Sequence, residues 1–542
     1  MRREDGVRTA RRDMECQVAV VGAGPVGMTA AALLAAYGIS VVVVERNAVT
    51  SNEPKAISID DEALRIFQAA GLADRVLKII VPGTGTRYYD ASGRAVFHAR
   101  SAQPFRLGYP FKNPFAQPDL ERELHTHLSG NSQVSMCMKT ELTGVDQFED
   151  GVGLRCRREG ADEVLVRARY VLGCDGGRST VRELLGIGMT GRSYEDVWLV
   201  VDVAGDHHDE RYGMHHGDPD RPHVIVPGLD GRCRYEFLLR PGEGEPGVPP
   251  SFDLVRRLLA PHRKIVPEQV ERAVSYRFNA VVADRWRQDG VFLLGDAAHM
   301  MPPFAGQGLN SGIRDAGNLA WKLAEVLAGR LEDTALDTYE QERRPHAEAT
   351  VRHSEYLGRI VMTTSHRIAG QRDRLIGAAM RSPSGRAFFE QMRYRPMHTY
   401  AAGLLKPGAS GVPAAVGRQV AQPTVFDTRL HRTRRLDDAL GPGWALLGVG
   451  VDTACYPTES QAVAPLSPRL AHVAVDERMP RHTGDLTVLV DVDGSLDAEF
   501  AKYHGHLVLI RPDRFIAAAW RPGHTPVLPE ALRMARRPTP VG

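Results

Sequence analysis

The sequence predicts an α/β protein: a Rossmann-like domain with a β-sheet domain inserted into it and a smaller domain at its C-terminal end. Three observations predict this. Residues 17–22 read QVAVVG and run into a glycine-rich turn, an Ala/Leu-rich helix and a second β-branched strand. Two later strands, at 171–174 and 291–294, each end in a Gly/Asp turn, and strand-like segments lie between them. Past residue 400, Pro and Gly rise around 406–413 and a new series of short apolar strands begins. At 542 residues the chain is too long for one hydrophobic core, so several domains are expected.

The first unit is complete in itself. A continuous apolar run suits a strand buried on both faces. It leads into Gly22-Ala23-Gly24-Pro25-Val26-Gly27, a helix from Met28 to Tyr37, a stop at Gly38, and a strand from Ser40 to Val44 that closes on Glu45. Gly22 allows the tight turn, Gly24 lets the backbone approach a pyrophosphate, and Gly27 lets helix and strand pack. The helix N-terminus adds free N–H groups and the positive end of a dipole. Glu45, at the end of the second strand, is placed to accept from ribose hydroxyls. This unit does not by itself separate FAD from NAD.

The second motif, VLGCDGGRSTVR at 171–182, runs a strand into Asp175-Gly176-Gly177 with a helix starting near Ser179. Asp175 has two readings, a cofactor contact or the cap of that helix. The third, VFLLGDAAH at 291–299, ends at Gly295-Asp296; Pro302 to Asn310 follows and opens a long helix. Apolar residues Ile313, Ala316, Leu319, Ala320, Leu323, Val326 and Leu327 recur on one face of it. Asp296 at a strand end suits a ribityl or ribose hydroxyl. The helix N-terminus at Gly306 to Asn310 suits negative charge on a reduced flavin ring. His299 reads as a packed or helix-start residue, and the pair Arg343-Arg344 as a solvated helix face.

Composition narrows the class. Apolar residues make 43% and charged residues 25% of the chain, and net charge is +2 with no block of like charges. That gives no electrostatic case for nucleic acid or an anionic membrane. No apolar run approaches the roughly 18–20 residues that span a bilayer. The six cysteines are scattered without a C-x-x-C pair, so neither a disulfide framework nor a metal site is expected, and a cytoplasmic location is. Residues 1–13 are basic, lack an apolar segment behind them, and read as a disordered leader.

G-x-G-x-x-G, a DG motif and GD…P…GQGLN, in this order, resemble the class A FAD-dependent aromatic hydroxylases, flavoprotein monooxygenases of the para-hydroxybenzoate hydroxylase type. The stretches AISIDDEALRIFQAAGL (56–72), FAQPDLERELHTHL (115–128), RYEFLLRPGE (234–243), LDTYEQERRPHA (336–347) and LVLIRPDRFIAA (507–518) are similar to the 3-(3-hydroxyphenyl)propionate/3-hydroxycinnamate hydroxylase branch. The resemblance covers the chain after residue 14. It implies FAD as cofactor, NADH or NADPH as a transient electron donor, and O₂ and a small phenolic molecule as substrates. A flavin C(4a)-hydroperoxide would transfer its distal oxygen to the ring, giving a catechol or hydroquinone.

By position, the resemblance implies that Gly22, Gly24, Pro25, Val26 and Gly27 hold the pyrophosphate, with Glu45 and Arg46 at the adenosine. Gln117 would face the ribityl side, where turn chemistry with Pro118 is its other reading. Asp175, Gly295 and Asp296 would contact FAD. Pro303, Gly306, Gln307, Gly308, Leu309 and Asn310 would border the isoalloxazine. Lys55 stands where relatives commonly carry Arg, which keeps the charge and loses the planar fork.

The resulting division is a leader at 1–13, FAD-binding segments at 14–185 and 280–400, a substrate-binding sheet at 186–279, and a thioredoxin-like domain without C-x-x-C at 401–542, with packing or homodimer formation as its role. In the sheet, His223, Tyr235 and Asp202 are candidate bases for the phenol, none of them assigned as catalytic. Arg192, Arg221 and Arg234 are candidate partners for a substrate carboxylate. No second G-x-G-x-x-G unit exists for the nicotinamide donor. Two alternatives stay open: a hydroxylase tailoring a polyketide-derived or other phenol, and a flavoprotein that has lost its oxygen chemistry.

Overall fold

Val41–Val44 is four consecutive valines, all buried, and a strand buried on both faces needs helices on both sides of its sheet. A computed structural model shows that arrangement and describes residues 13–159, 163–405, 416–474, 486–524, 526 and 528–533. The expected leader, apart from Asp13, and the Pro/Gly-rich stretch at 406–413 lie outside the described residues.

Met14–Val21 lies inside the first sheet, parallel to Val41–Val44 on one side and to Glu163–Gly173 on the other. Val291–Leu293 continues the parallel order beyond Glu163–Gly173, and Val134–Cys137 beyond Val41–Val44. Helix Pro25–Ala36 buries every residue but Val26 and Ala36, as a helix apolar all round should. It ends at Gly38, whose φ of +77° is the left-handed position that closes many helices. Helix Gly308–Leu327 packs against it.

A second sheet of eight strands runs in the order His299–Met300, Val270–Ala283, Met189–Val203, Cys233–Leu238, His223–Pro227, Gly213–His216, Thr86–Tyr89, Ala95–Ala99. The last two strands come from within the 14–185 stretch read as FAD-binding, and the long strand Val270–Ala283 crosses the expected border at 279/280. Sequence reading assigned one segment to one sheet. The chain instead visits this sheet first at Thr86 and returns at Met189. Its outer face packs on helix Phe252–Leu259 through Leu199, Val201, Ile225, Tyr235 and Leu254.

Among the described residues, the C-terminal sheet has seven strands. Ala445–Val449 and Arg469–Ala474 run parallel, and His506–Ile510 and Ile516–Trp520 add antiparallel on the other side. This β-α-β plus β-hairpin order is the thioredoxin-like arrangement. The turn at 511–514 forms as expected, closed by Arg514 N–H donating to the Arg511 carbonyl at 2.9 Å. Among the described residues, no helix is long and apolar enough to cross a membrane.

Candidate active site

The strands of the first sheet end under the inner face of the second, and a cavity of about 650 Å³ lies between them. Gly22 to Val26, Glu45 and Arg46 line it. So do Lys55, Gln117, Asp175 and Asp296, and at another part of the wall Pro303 and Gly306 to Leu309. Of the residues expected from sequence to hold FAD, Gly27, Gly295 and Asn310 are not among the lining residues.

The three glycines of the first turn differ in what surrounds them. At Gly22, φ is +104° and a Cβ would lie 2.5 Å from the Cys174 carbonyl oxygen; at Gly27 a Cβ would lie 2.0 Å from that of Gly22. These two serve backbone packing. A Cβ at Gly24 would meet nothing within 4 Å, so its free side is the cavity. Gly24 is also the N-cap of helix Pro25–Ala36 and supplies no side-chain cap. Uncapped N–H groups therefore face an open cradle, which fits a dinucleotide pyrophosphate.

Glu45 is partly occupied by its own loop. Oε2 accepts from Ala23 N–H at 2.8 Å and Oε1 from Asn47 N–H at 2.8 Å. Arg46 is exposed beside it. Gln117 opens helix Gln117–Ser129; its Oε1 accepts from Ala56 N–H and its Nε2 donates to Glu121, both at 2.8 Å. It thus ties the Lys55 loop to the helix while forming part of the cavity wall. The Lys55 side chain is exposed, and its carbonyl accepts from Arg234 Nη1 at 2.6 Å.

Ser179 is the N-cap of helix Thr180–Leu184, its Oγ accepting from Arg182 N–H at 3.0 Å, and Asp175 braces that cap. Asp175 accepts from Ser179 Oγ at 2.5 Å and Val181 N–H at 3.0 Å, and it also lines the cavity. Asp296 is reached by solvent through the cavity, while the protein crowded round it raises its carboxyl above the usual range.

Behind Asp296 stands a buried hub the sequence did not reveal. Asp315 Oδ2 accepts from Gly295 N–H at 3.0 Å and lies 2.7 Å from His299 Nε2, while Oδ1 accepts from Arg343 Nε at 2.9 Å. Burial opposes the charge on Asp315, but His299 and Arg343 outweigh it and hold the carboxyl low. His299 is therefore a packed residue. Arg343 corrects the expectation of a solvated face: it is fully buried, whereas its neighbour Arg344 pairs with Glu340 and Glu348 near the surface. Asn310 is likewise internal. Its Nδ2 donates to the Ser58 and Gly306 carbonyls, and its Oδ1 accepts from Asp60 N–H, pinning the turn before the helix. Gln307, at the cavity, accepts from Arg314 Nη1 at 2.9 Å.

In the roof, strand alternation decides which side chains reach the cavity. Val224, Val226, Arg234 and Glu236 line it; His223 and Tyr235, one position away, do not. His223 stacks on His216, and the Tyr235 hydroxyl donates to Asp206. Asp202 pairs with Arg234 through two hydrogen bonds of 2.6 and 3.0 Å. None of the three candidate bases lines the cavity. Among the candidate cations, Arg192 pairs with Glu355 and Arg221 with Glu243 away from it; Arg234 lines it but is committed to Asp202.

Sequence reading missed Lys112, His215, Tyr276, Phe278 and Phe304, all of which line the cavity. Phe278 and Phe304 meet edge to face at 5.5 Å, and Trp198 packs on both. The signal available was weak: aromatics alternating in Tyr276-Arg277-Phe278, with nothing to say which face turns inward.

Residues 15–354 match the family model described as FAD binding domain. The chain belongs to that family. Residues 417–535 match a second model, the HcaD C-terminal domain. The chain is 37% identical over 512 residues to the 3-(3-hydroxy-phenyl)propionate/3-hydroxycinnamic acid hydroxylase 2 of Burkholderia vietnamiensis (strain G4 / LMG 22486), covering 92% of this chain and 93% of that one. It is 38% identical over 545 residues to the 3-(3-hydroxy-phenyl)propionate/3-hydroxycinnamic acid hydroxylase of Mycobacterium sp. (strain JLS), covering 97% and 92%. In fold it is similar to the flavin-dependent monooxygenase PieE in complex with FAD and substrate, with a TM-score of 0.80, 22% identity, and coverage of 96% and 99%. This family member is an FAD-dependent aromatic hydroxylase, a flavoprotein monooxygenase with NAD(P)H as electron donor.

Proposed function

We propose that this hydroxylase acts on a phenol bearing a carboxylate side chain, of the 3-(3-hydroxyphenyl)propionate type, and adds a second ring hydroxyl. The observation that carries the reading is identity of 37–38%, over more than nine-tenths of the chain, to hydroxylases named for that substrate. The aromatic wall of Tyr276, Phe278 and Phe304 supports it, since such a wall grips a single ring by its edges and faces.

In this reading the cradle at Gly22 to Gly27 holds the pyrophosphate, and Glu45 and Arg46 hold the adenosine. Lys55, Gln117, Asp175 and Asp296 lie along the ribityl part, with Gly295 and Asn310 fixing the loops behind. Pro303 and Gly306 to Leu309 border the ring. Bound FAD would supply the redox chemistry, with NAD(P)H as reductant and O₂ as oxidant. The chain's own residues do the rest. Phe278 and Phe304 exclude water from the reacting ring, and the helix N-terminus at Gly308 stabilises negative charge on the pyrimidine side. The same reading puts the enzyme in the cytoplasm, in keeping with six unpaired cysteines, and keeps a homodimer to be checked by light scattering.

A panel of 3-(3-hydroxyphenyl)propionate, 3-hydroxycinnamate, resorcinol, salicylate and a polyketide-derived phenol tests it, with NADH and NADPH oxidation read against product mass. The expected outcome is coupled turnover with gain of one oxygen atom on the first two. Coupled turnover confined to the others would replace the substrate class.

A further inference from the structure

Lys112 is a cation in the cavity with no carboxylate of its own. It lies between Phe111 and Asn113 in a loop, and its φ of +61° is a left-handed conformation that a side chain other than glycine adopts at a cost. That backbone turn aims the side chain at Pro303–Ala305, where Nζ donates to the Ala305 carbonyl at 3.0 Å. A Cβ at Gly306 would lie 3.1 Å from Nζ, so the ammonium sits against the turn that leads into helix Gly308–Leu327.

The groups acting on it leave it without an anionic partner. Arg395 repels it, and its own charge opposes protonation of His215 and His353. Asp60, the carboxylate that favours it, is already engaged by Arg314, Gln307 and Ala63 N–H. Among the described residues no ion pair to Lys112 is found. Burial, with Arg395 adding to it, lowers the Lys112 ammonium to about 8, and burial lowers the neighbouring His215 to about 3, so His215 is neutral at working pH. A half-buried ammonium held by one carbonyl and the Phe111 ring face has no counter-charge until a ligand brings one.

We propose that Lys112 receives the substrate's ring oxygen in its ionised form. The inference rests on the phenol reading above and names the group that holds the phenolate once the proton has left. The substrate O–H bond breaks, its electron pair stays on oxygen opposite the ammonium, and the proton leaves to solvent. A phenolate pushes electron density to its ortho and para carbons, so the counter-cation belongs beside the flavin-facing turn, where Lys112 is, and not at the tail of the substrate. The rival role is a structural pin for Ala305 alone.

The probe is 3-(3-hydroxy-4-nitrophenyl)propionate, whose phenolate absorbs in the visible, titrated with pH while bound to the FAD holoenzyme without reductant. The expected result is a phenol pKa about one unit or more below that of the free probe, a tenfold bias toward the anion. Lys112→Met and Lys112→Gln should remove the shift, and Lys112→Arg should keep it. The Gln variant retains a donor for Ala305, so a pin would lose nothing there. A bound probe that ionises as it does in water, or a full shift surviving in the Gln variant, overturns the inference and leaves the phenol reading standing. A probe that fails to perturb the flavin spectrum of the wild-type enzyme removes the substrate class as well.

Discussion

At the seam between helix Thr338–Val361 and the 511–514 turn, Arg511 donates to both oxygens of Glu342 at 2.8 Å, and Lys322 donates to the same carboxylate at 2.8 Å. Asn318 and the Leu404 N–H complete its shell, and all three charges are buried. In the cavity, Lys112 finds one backbone carbonyl and the face of Phe111, and no carboxylate among the described residues. The two regions take cations out of bulk water, fully at the seam and half-buried at the cavity wall, and treat them oppositely. A charge whose every partner is protein holds the scaffold together, whereas a charge left short of partners at a cavity wall marks where a ligand completes the structure.

The largest effect that would break this contrast is at the seam. Arg511→Leu leaves Glu342 with Lys322 as its cation beside the two neutral donors, and removing one member of a buried pair costs about 3–5 kcal/mol. Urea unfolding of the FAD-loaded enzyme would read it, and a loss below about 1 kcal/mol would mean the seam is not a staple. The seam also carries a pH signature. Burial opposes the Glu342 charge, yet Arg511 and Lys322 hold its carboxyl at about 2. Its folded pKa is depressed, so its contribution is present above the unfolded value near 4.5 and is lost as pH falls toward 2. Glu342→Gln should flatten the stability profile across that window.

Next in size is the cradle. Gly24→Val carries its Cβ into space with nothing of the protein within 4 Å, so the fold should persist while FAD binding weakens about a hundredfold, roughly 2.7 kcal/mol. Fluorescence titration of apoprotein with FAD measures it. Gly27→Ala is the control with the reverse pattern, because its Cβ collides with the Gly22 carbonyl and the apoprotein itself should lose stability.

The smallest effect sharpens the comparison within one dipeptide. Arg344→Ala removes partly exposed ion pairs and should cost about 0.5 kcal/mol or less. Arg343→Ala uncovers the buried Asp315 and should cost several times more. Equal losses would mean that burial of the pair had been misjudged.

That dipeptide also shows what a sequence can and cannot convey. The first sheet was legible because Val41–Val44 and the glycine spacing at 22–27 are local patterns with local causes. The long helix after Gly308 was legible from its apolar period. Arg343 was not, because its burial comes from Asp315, a residue on a different helix, and no periodicity announces a pairing across elements. The roof failed for another reason. In a strand, a shift of one residue exchanges the two faces, so Tyr235 and His223 were named where Val224, Val226 and Glu236 reach the cavity. Lys112 lies in a loop with no period at all, and only its backbone conformation aims it inward.

The parallel pairing of Gly213–His216 with Thr86–Tyr89 has a practical consequence for anyone re-engineering this enzyme. The lid over the ring chamber is not a cassette. A graft that exchanges 186–279 between relatives would leave one foreign edge, Gly213–His216, to zip onto the native Thr86–Tyr89 strand laid down more than a hundred residues earlier. Transplanted selectivity would have to travel as two pieces, with the 86–99 hairpin carried alongside.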